Sequence, residues 1–115
     1  MEVFALFGLA LTVGAGGILV ELLQDAVTIL LPASNTEIRN ALQGLKTWPL
    51  LCGYRGKAPA DVEALVVAIG AIAAYTLENA QRLVELDVNP ILVKPQGFGV
   101  QAVDALIYLT EDTPE

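Results

Sequence analysis

Residues 3–20 carry no charged side chain, and Gly8, Gly14, Gly16 and Gly17 interrupt them before Glu21 closes the run. No other stretch constrains the fold as strongly. A membrane-spanning helix needs about 17–25 apolar residues, and this run reaches the lower end of that range. Its flank is acidic at Glu2, however, and no Lys or Arg precedes Arg39 to orient a span. Glycines at this density favour a buried strand followed by a glycine-rich turn. A small membrane-anchored protein using residues 3–20 stays open as the lesser alternative, since hydropathy alone does not separate the two.

The 115 residues are the length of one small domain, expected to cover 1–115. A formal net charge of −7 leaves no basic face to neutralise phosphates, which argues against a nucleic-acid partner. There is no histidine, so phosphohistidine chemistry and histidine-ligated zinc drop out. Cys52 stands alone, so no disulfide framework forms; a reducing cytoplasm fits. It has no basic neighbour except Arg55, which argues against a catalytic thiolate. Apolar residues make up 55% and charged ones 17%, which excludes disorder. Such a chain has apolar surface to spare, and a twofold homodimer is the simplest way to cover it.

Along the chain, residues 9–13 read as a short buried strand ending in the turn Gly14–Ala15–Gly16–Gly17. Residues 18–23 form a second apolar run. Residues 26–31 are rich in β-branched side chains and stop at Pro32, so they read as another strand. Ser34 and Glu37 have the spacing of a capping box, with Ile38, Ala41, Leu42 and Leu45 following at helical intervals. Residues 48–59 read as a loop. A long helix should start near Pro59 or Ala60, with Asp61 and Glu63 in its first turn. Having no charge from Ala64 to Leu77, it is expected to be buried on most of its surface. Residues 84–94 and 99–109 read as an antiparallel hairpin joined by Pro95–Gln96–Gly97–Phe98. The order ββ–α–α–ββ gives an α+β domain, helices packed on an antiparallel or mixed sheet.

The hairpin holds the acids of interest. Alternation places Glu85, Asp87 and Asn89 on one face. A turn centred between Gln96 and Gly97 sets Asn89 directly opposite Asp104. Opposed residues have Cβ atoms about 5 Å apart, close enough for their oxygens to hold one cation. Two carboxylates with an amide oxygen suit magnesium, which keeps its other positions for water and phosphate. A solvated outer face of an edge hairpin explains the same acids. Pro90 directly after Asn89 marks an interrupted ladder.

These residues also carry a family likeness. Glu85–Leu86–Asp87–Val88–Asn89–Pro90 followed by Ala102–Val103–Asp104–Ala105 resembles the end of the ATP-grasp domain in NDP-forming acyl-CoA synthetases. That family includes ADP-forming acetate–CoA ligase and the succinyl-CoA synthetase beta subunit. Phe7–Gly8, then Gly14–Ala15–Gly16–Gly17–Ile18 and Val20–Glu21, is similar to the family's strand and glycine stretch. Asp25 to Pro32 is similar to its next strand. Leu50–Leu51–Cys52–Gly53–Tyr54–Arg55–Gly56 with Pro59–Ala60–Asp61 resembles its Leu-Leu-x-Gly-Tyr-Arg-Gly loop and helix start. The likeness is collinear from about Phe7 to Ile107.

The resemblance implies the carboxy-terminal subdomain of an ATP-grasp fold, with magnesium held by Asp87, Asn89 and Asp104. It implies ATP or GTP near Gly14, Gly16, Gly17 and Glu21. It also implies a complementary ATP-grasp and CoA-binding chain, which would supply the phosphate-contacting lysine, the adenine clamp, the CoA site and the phosphorylated histidine. The isolated chain is therefore expected to be inactive. Where relatives often carry Arg, this chain has Ile29 and Leu106, and both departures remove charge that would meet phosphate. Nucleotide binding by the chain alone is thus expected to be weak or absent. Read without the family, the glycine cluster is equally a tight turn between strands, and Glu21 equally a surface acid. Tyr54 and Arg55 are read as structural, packing the loop by its aromatic ring. Three functions follow: the nucleotide-binding part of an acyl-CoA synthetase, a decayed homologue acting as an interaction module, or a membrane-anchored protein.

Overall fold

The computed structural model describes residues 1–15 and 25–111. The main sheet has five strands: β1 (Glu2–Leu6), β2 (Ala10–Gly14), β3 (Ala26–Leu30), β4 (Leu83–Val88) and β7 (Ala105–Leu109). They lie in the order β3-β2-β1-β4-β7, and every neighbouring pair is antiparallel. Among the described residues the helices are α1 (Asn35–Leu42), the short α2 (Trp48–Leu51) and α3 (Val62–Glu78). A two-stranded ladder, β5 (Ile91–Val93) with β6 (Val100–Ala102), completes an α+β architecture.

The uncharged amino-terminal run is thus strand, not spanning helix, over residues 3–6 and 10–14. Among the described residues no helix is long and apolar enough to cross a membrane. The strand that the sequence pattern did not disclose is β1, the centre of the sheet. Its alternation is hidden because both faces of its sequence, Glu2 apart, are apolar, whereas period two is legible only when one face is polar.

Alternation divides the sheet into two faces. Val3, Ala5, Leu11, Val13, Ile29, Leu86 and Val88 point to one side and are buried. They pack in one core with Ile38 and Leu42 of α1 and with Leu65, Val66, Ile69 and Ala73 of α3. The other face carries Glu2, Phe4, Thr12, Gly14, Ala26 and Asp87 around a cavity of about 290 Å³.

Ser34 caps α1 as its spacing implied: its Oγ accepts the Glu37 N–H at 3.1 Å, while Glu37 Oε1 accepts the Ser34 N–H at 3.0 Å. Two expectations are corrected. Residues 48–51 form a helical turn rather than loop, because Pro49 sits in the first turn, where a missing N–H costs nothing. Helix α3 is buried along one stripe only, and Val67 on its far side is 62% exposed. The sheet and α1 cover this helix on its buried side, and Val67 lies on the stripe that they leave exposed.

Asp25, the first described residue after Ala15, is buried. Its Oδ1 accepts the Lys46 N–H at 2.5 Å and its Oδ2 the Thr47 N–H at 3.0 Å. The start of β3 is thereby tied to the connection after α1.

Candidate functional site

The 84–109 hairpin has the expected register but is divided into two ladders. Asp87 pairs with Leu106 and Val88 with Ala105; beyond the break, Ile91 pairs with Ala102 and Val93 with Val100. The break falls at Asn89–Pro90, a cis peptide. Across it the Asn89 N–H donates to the Asp104 carbonyl at 3.1 Å, and the Val103 N–H to the Pro90 carbonyl at 2.9 Å. Asn89 and Asp104 therefore oppose one another along the backbone. Proline removes one donor from the strand, so the ladder parts there and the two halves splay into separate sheets.

The side chains gather differently from the expected trio. Strand β1 lies against β4 with Phe4 opposite Asp87 and Val3 opposite Val88, which brings Glu2 beside Asn89. Asn89 Nδ2 donates to Glu2 Oε2 at 3.2 Å. Asp87 Oδ1 is buried with no N–H against it, and its carboxyl faces that of Glu2, to which it hydrogen-bonds when Glu2 is protonated. Asp104 is exposed, and its Oδ1 accepts the N–H of its own neighbour Ala105 at 2.8 Å. Burial raises the Glu2 carboxyl above its ordinary value, and the Asp87 carboxyl beside it adds to the rise; the Met1 ammonium and the Asn89 amide act in the opposite sense. Among the described residues no three acidic or thiol side chains converge on one point.

Glu2 is the residue that sequence reasoning missed. In sequence it is only the acidic flank of an apolar run. Once β1 is paired with β4, alternation alone places it on the face of Asp87. Gly14, the one member of the glycine set among the described residues, pairs with Glu2 on β1 and Ala26 on β3 and lines the same cavity. Gly16, Gly17 and Glu21 lie outside the described residues.

The two departures from the family pattern fall on opposite faces. Ile29 is 4% exposed in the helix-side core, so an apolar residue there takes no charge from the acidic face. Leu106 pairs with Asp87, shares its face and is 48% exposed. Tyr54 does not pack inward as expected. It is half exposed, and the Arg55 guanidinium lies 5.2 Å from its ring centroid. Gly53, Arg55 and Gly56 all have positive φ, which turns the loop back on itself and holds both side chains outward. On the helix side, Cys52 is exposed on a cavity of about 430 Å³. Arg39 and Glu63, ion-paired at 2.5 Å, line the same cavity.

A five-stranded antiparallel sheet with helices on one face and carboxylates beside a strand-end glycine on the other is the α+β arrangement of an ATP-grasp subdomain. The ATP-grasp domain matches residues 2–109, and the chain belongs to that family. Its relatives are NDP-forming acyl-CoA synthetases. It is 36% identical over 103 residues to the beta subunit of acetate–CoA ligase [ADP-forming] II of Pyrococcus furiosus, covering 90% of this chain and 44% of that protein. It superposes on PH1788 from Pyrococcus horikoshii with a TM-score of 0.88 at 30% identity, over 96% of this chain and 48% of that one. Acetyl-coenzyme A synthetase 1 of Ca. Korarchaeum cryptofilum, solved with coenzyme A and Mg-AMPPCP, matches with a TM-score of 0.85 at 32% identity, over 94% of this chain and 51% of that one. The chain thus spans about half, or less, of the proteins it matches.

Proposed function

We propose that these residues form the magnesium- and nucleotide-facing part of an NDP-forming acyl-CoA synthetase, one domain over 1–115 that acts in the cytoplasm. The single observation that carries the reading is the Asp87 carboxyl, its Oδ1 buried with no donor against it except a protonated Glu2 carboxyl, at the cavity that Gly14 also lines. An unpaired buried carboxylate oxygen is costly unless a cation or donor completes it. The donor set suits magnesium: carboxylate from Asp87, amide from Asn89, carboxylate from Asp104, with Glu2 as a further acid. Bound there, magnesium supplies charge that neutralises nucleotide phosphates. Gly14, with Gly16 and Gly17, lets the backbone approach those phosphates, and Glu21 closes the segment.

Partners complete the site. A complementary chain or segment brings the lysine, the adenine clamp and the CoA-binding part, and a second copy of this chain covers apolar surface. The residues alone turn over no acyl-CoA, since phosphoryl transfer rests on clamping the nucleotide from both sides. Leu106 beside Asp87 favours a second reading, a non-catalytic homologue, because it withholds charge from the acidic face.

Amide spectra of the purified chain, titrated with magnesium alone and with Mg-AMPPCP, test the reading. Gly14, Asp87, Asn89 and Ala105 should shift with magnesium, and Asp87→Asn should abolish the response without disturbing the fold. Spectra that ignore magnesium, or shift equally in that variant, reduce the acids to a solvated face. ATP-dependent CoA-thioester formation by the chain alone would overturn the requirement for a complementary half.

A further inference from the structure

Strand β7 ends the sheet with nothing beyond it among the described residues. Its sequence, Ala105–Leu106–Ile107–Tyr108–Leu109, holds no charge and no proline, the usual guards of an edge. It is open on both faces: Leu106 is 48%, Ile107 43% and Tyr108 58% exposed. The opposite edge, β3, also lacks charge and proline and exposes Leu30, but Ile29 at the centre of its helix side is buried, so only β7 is open on both faces.

The direction of the free backbone groups follows from two bonds between the strands. The Asp104 carbonyl accepts from Asn89 and the Thr110 N–H donates to the Arg82 carbonyl, so even-numbered residues of this strand bond toward β4. In an antiparallel ladder the groups alternate, and residues 105, 107 and 109 point outward. The Ala105 N–H is already taken by Asp104 Oδ1, which closes that end of the edge.

We propose that a second copy of this chain docks antiparallel along β7, with the twofold axis through Ile107, so that the two sheets become one. In this register the Ile107 N–H and carbonyl bond reciprocally across the axis. The Leu109 N–H of each copy meets the Ala105 carbonyl of the other. Both sets use the outward groups and leave the capped Ala105 N–H alone. Leu106 then faces Tyr108 of the second copy, an aliphatic–aromatic cross-strand pair of the stabilising kind. Asp104 falls opposite Thr110. A one-residue slip would set outward odd-numbered residues against even-numbered ones already bonded to β4, so the alternation excludes it. A twofold contact of this kind is self-complementary and closes at two copies. The inference rests on the strand edge alone and stands whatever the acidic face binds.

Sedimentation of the purified chain at micromolar concentration should give about 24 kDa, twice the 12.1 kDa chain. The register has its own test. Leu106→Cys with Tyr108→Cys, on a Cys52→Ser background, places thiols on a non-hydrogen-bonded pair with Cα atoms about 4.5 Å apart, within disulfide range. Oxidation should give a covalent dimer that reductant reverses, and the Cys52→Ser parent should give none. Ile107→Pro removes an outward donor at the axis and should sediment as a monomer. Should that variant fail to fold, the cysteine pair still decides. A species of about 12 kDa throughout the concentration range, or a dimer whose cysteine pair does not cross-link, overturns the proposal.

Discussion

Asp61 Oδ2 accepts the Gly99 N–H at 2.8 Å, joining the start of α3 to the turn between β5 and β6. The same oxygen accepts the Gly97 N–H at 3.1 Å, while Oδ1 caps the helix at the Ala64 N–H, also at 3.1 Å. Gly97 and Gly99 both have positive φ, the backbone shape that aims their N–H groups at one carboxylate. One side chain thus serves as helix cap and as clamp on the two-stranded ladder.

The Gly99 N–H foremost, followed by those of Ala64 and Gly97, holds the Asp61 carboxyl below its ordinary value of 3.8. A carboxyl lowered by folding stabilises the native state above its unfolded pKa, and that contribution is lost as pH falls through the folded value. Wild-type protein should therefore lose urea resistance more steeply than Asp61→Asn between about pH 5 and about pH 2, with the variant already weaker at neutral pH. Parallel profiles for the two proteins would show that the clamp contributes nothing.

Gly8 fixes how the β1–β2 turn meets the rest of the chain. A Cβ built there would lie 2.3 Å from Ala80 Cβ and 2.5 Å from Ala80 Cα, and the latter is backbone that does not swing aside. The turn sits on the connection between α3 and β4, where the Phe7 N–H also bonds the Val84 carbonyl at 3.1 Å. Gly8→Ala should cost about 1–3 kcal/mol, the range for overpacking a buried contact. Denaturant titration measures it, and a midpoint equal to wild type would mean that the turn lifts off freely. Because β1 carries Glu2 and β2 carries Gly14, the same variant should weaken any magnesium response.

What could be read before the fold was known was whatever depends on neighbours in sequence. The Ser34 cap, a strand read over 26–31 and found over 26–30, a helix read from near Pro59 or Ala60 and found from Val62, and the register of the last hairpin are all of this kind. The family likeness rested on the same local motifs. Pairings between distant segments were not legible: Glu2 reaches Asn89 only because β1 lies between β2 and β4. Leu106 and Ile29 look alike as lost arginines in sequence, yet one lies on the acidic face and the other in the core. Alternation assigns residues to faces only after a strand has been recognised, and an apolar strand such as β1 hides its own period.

Asp25 supplies the last test of how the acidic face is supported. Its two carboxylate oxygens take the Lys46 and Thr47 N–H groups, and its carbonyl accepts the Ala15 N–H at 3.2 Å. The residue thus anchors the end of the β2–β3 ladder, where Gly14 pairs with Ala26 beside the cavity. Asp25→Ala leaves both donors without an acceptor in a largely buried place and should cost about 3 kcal/mol, since bonds to charged groups contribute about 1.5–3 each. Asp25→Asn keeps one acceptor but turns an amide donor toward an N–H, so it should cost about 1–3 kcal/mol. Urea unfolding with an unchanged slope would assign both losses to the native state. If Asp25→Ala unfolds within about 0.5 kcal/mol of wild type, the anchor is not what holds this ladder. If it unfolds as expected, the Gly14 amide resonance should also broaden, because the strand end that presents it has lost its tether.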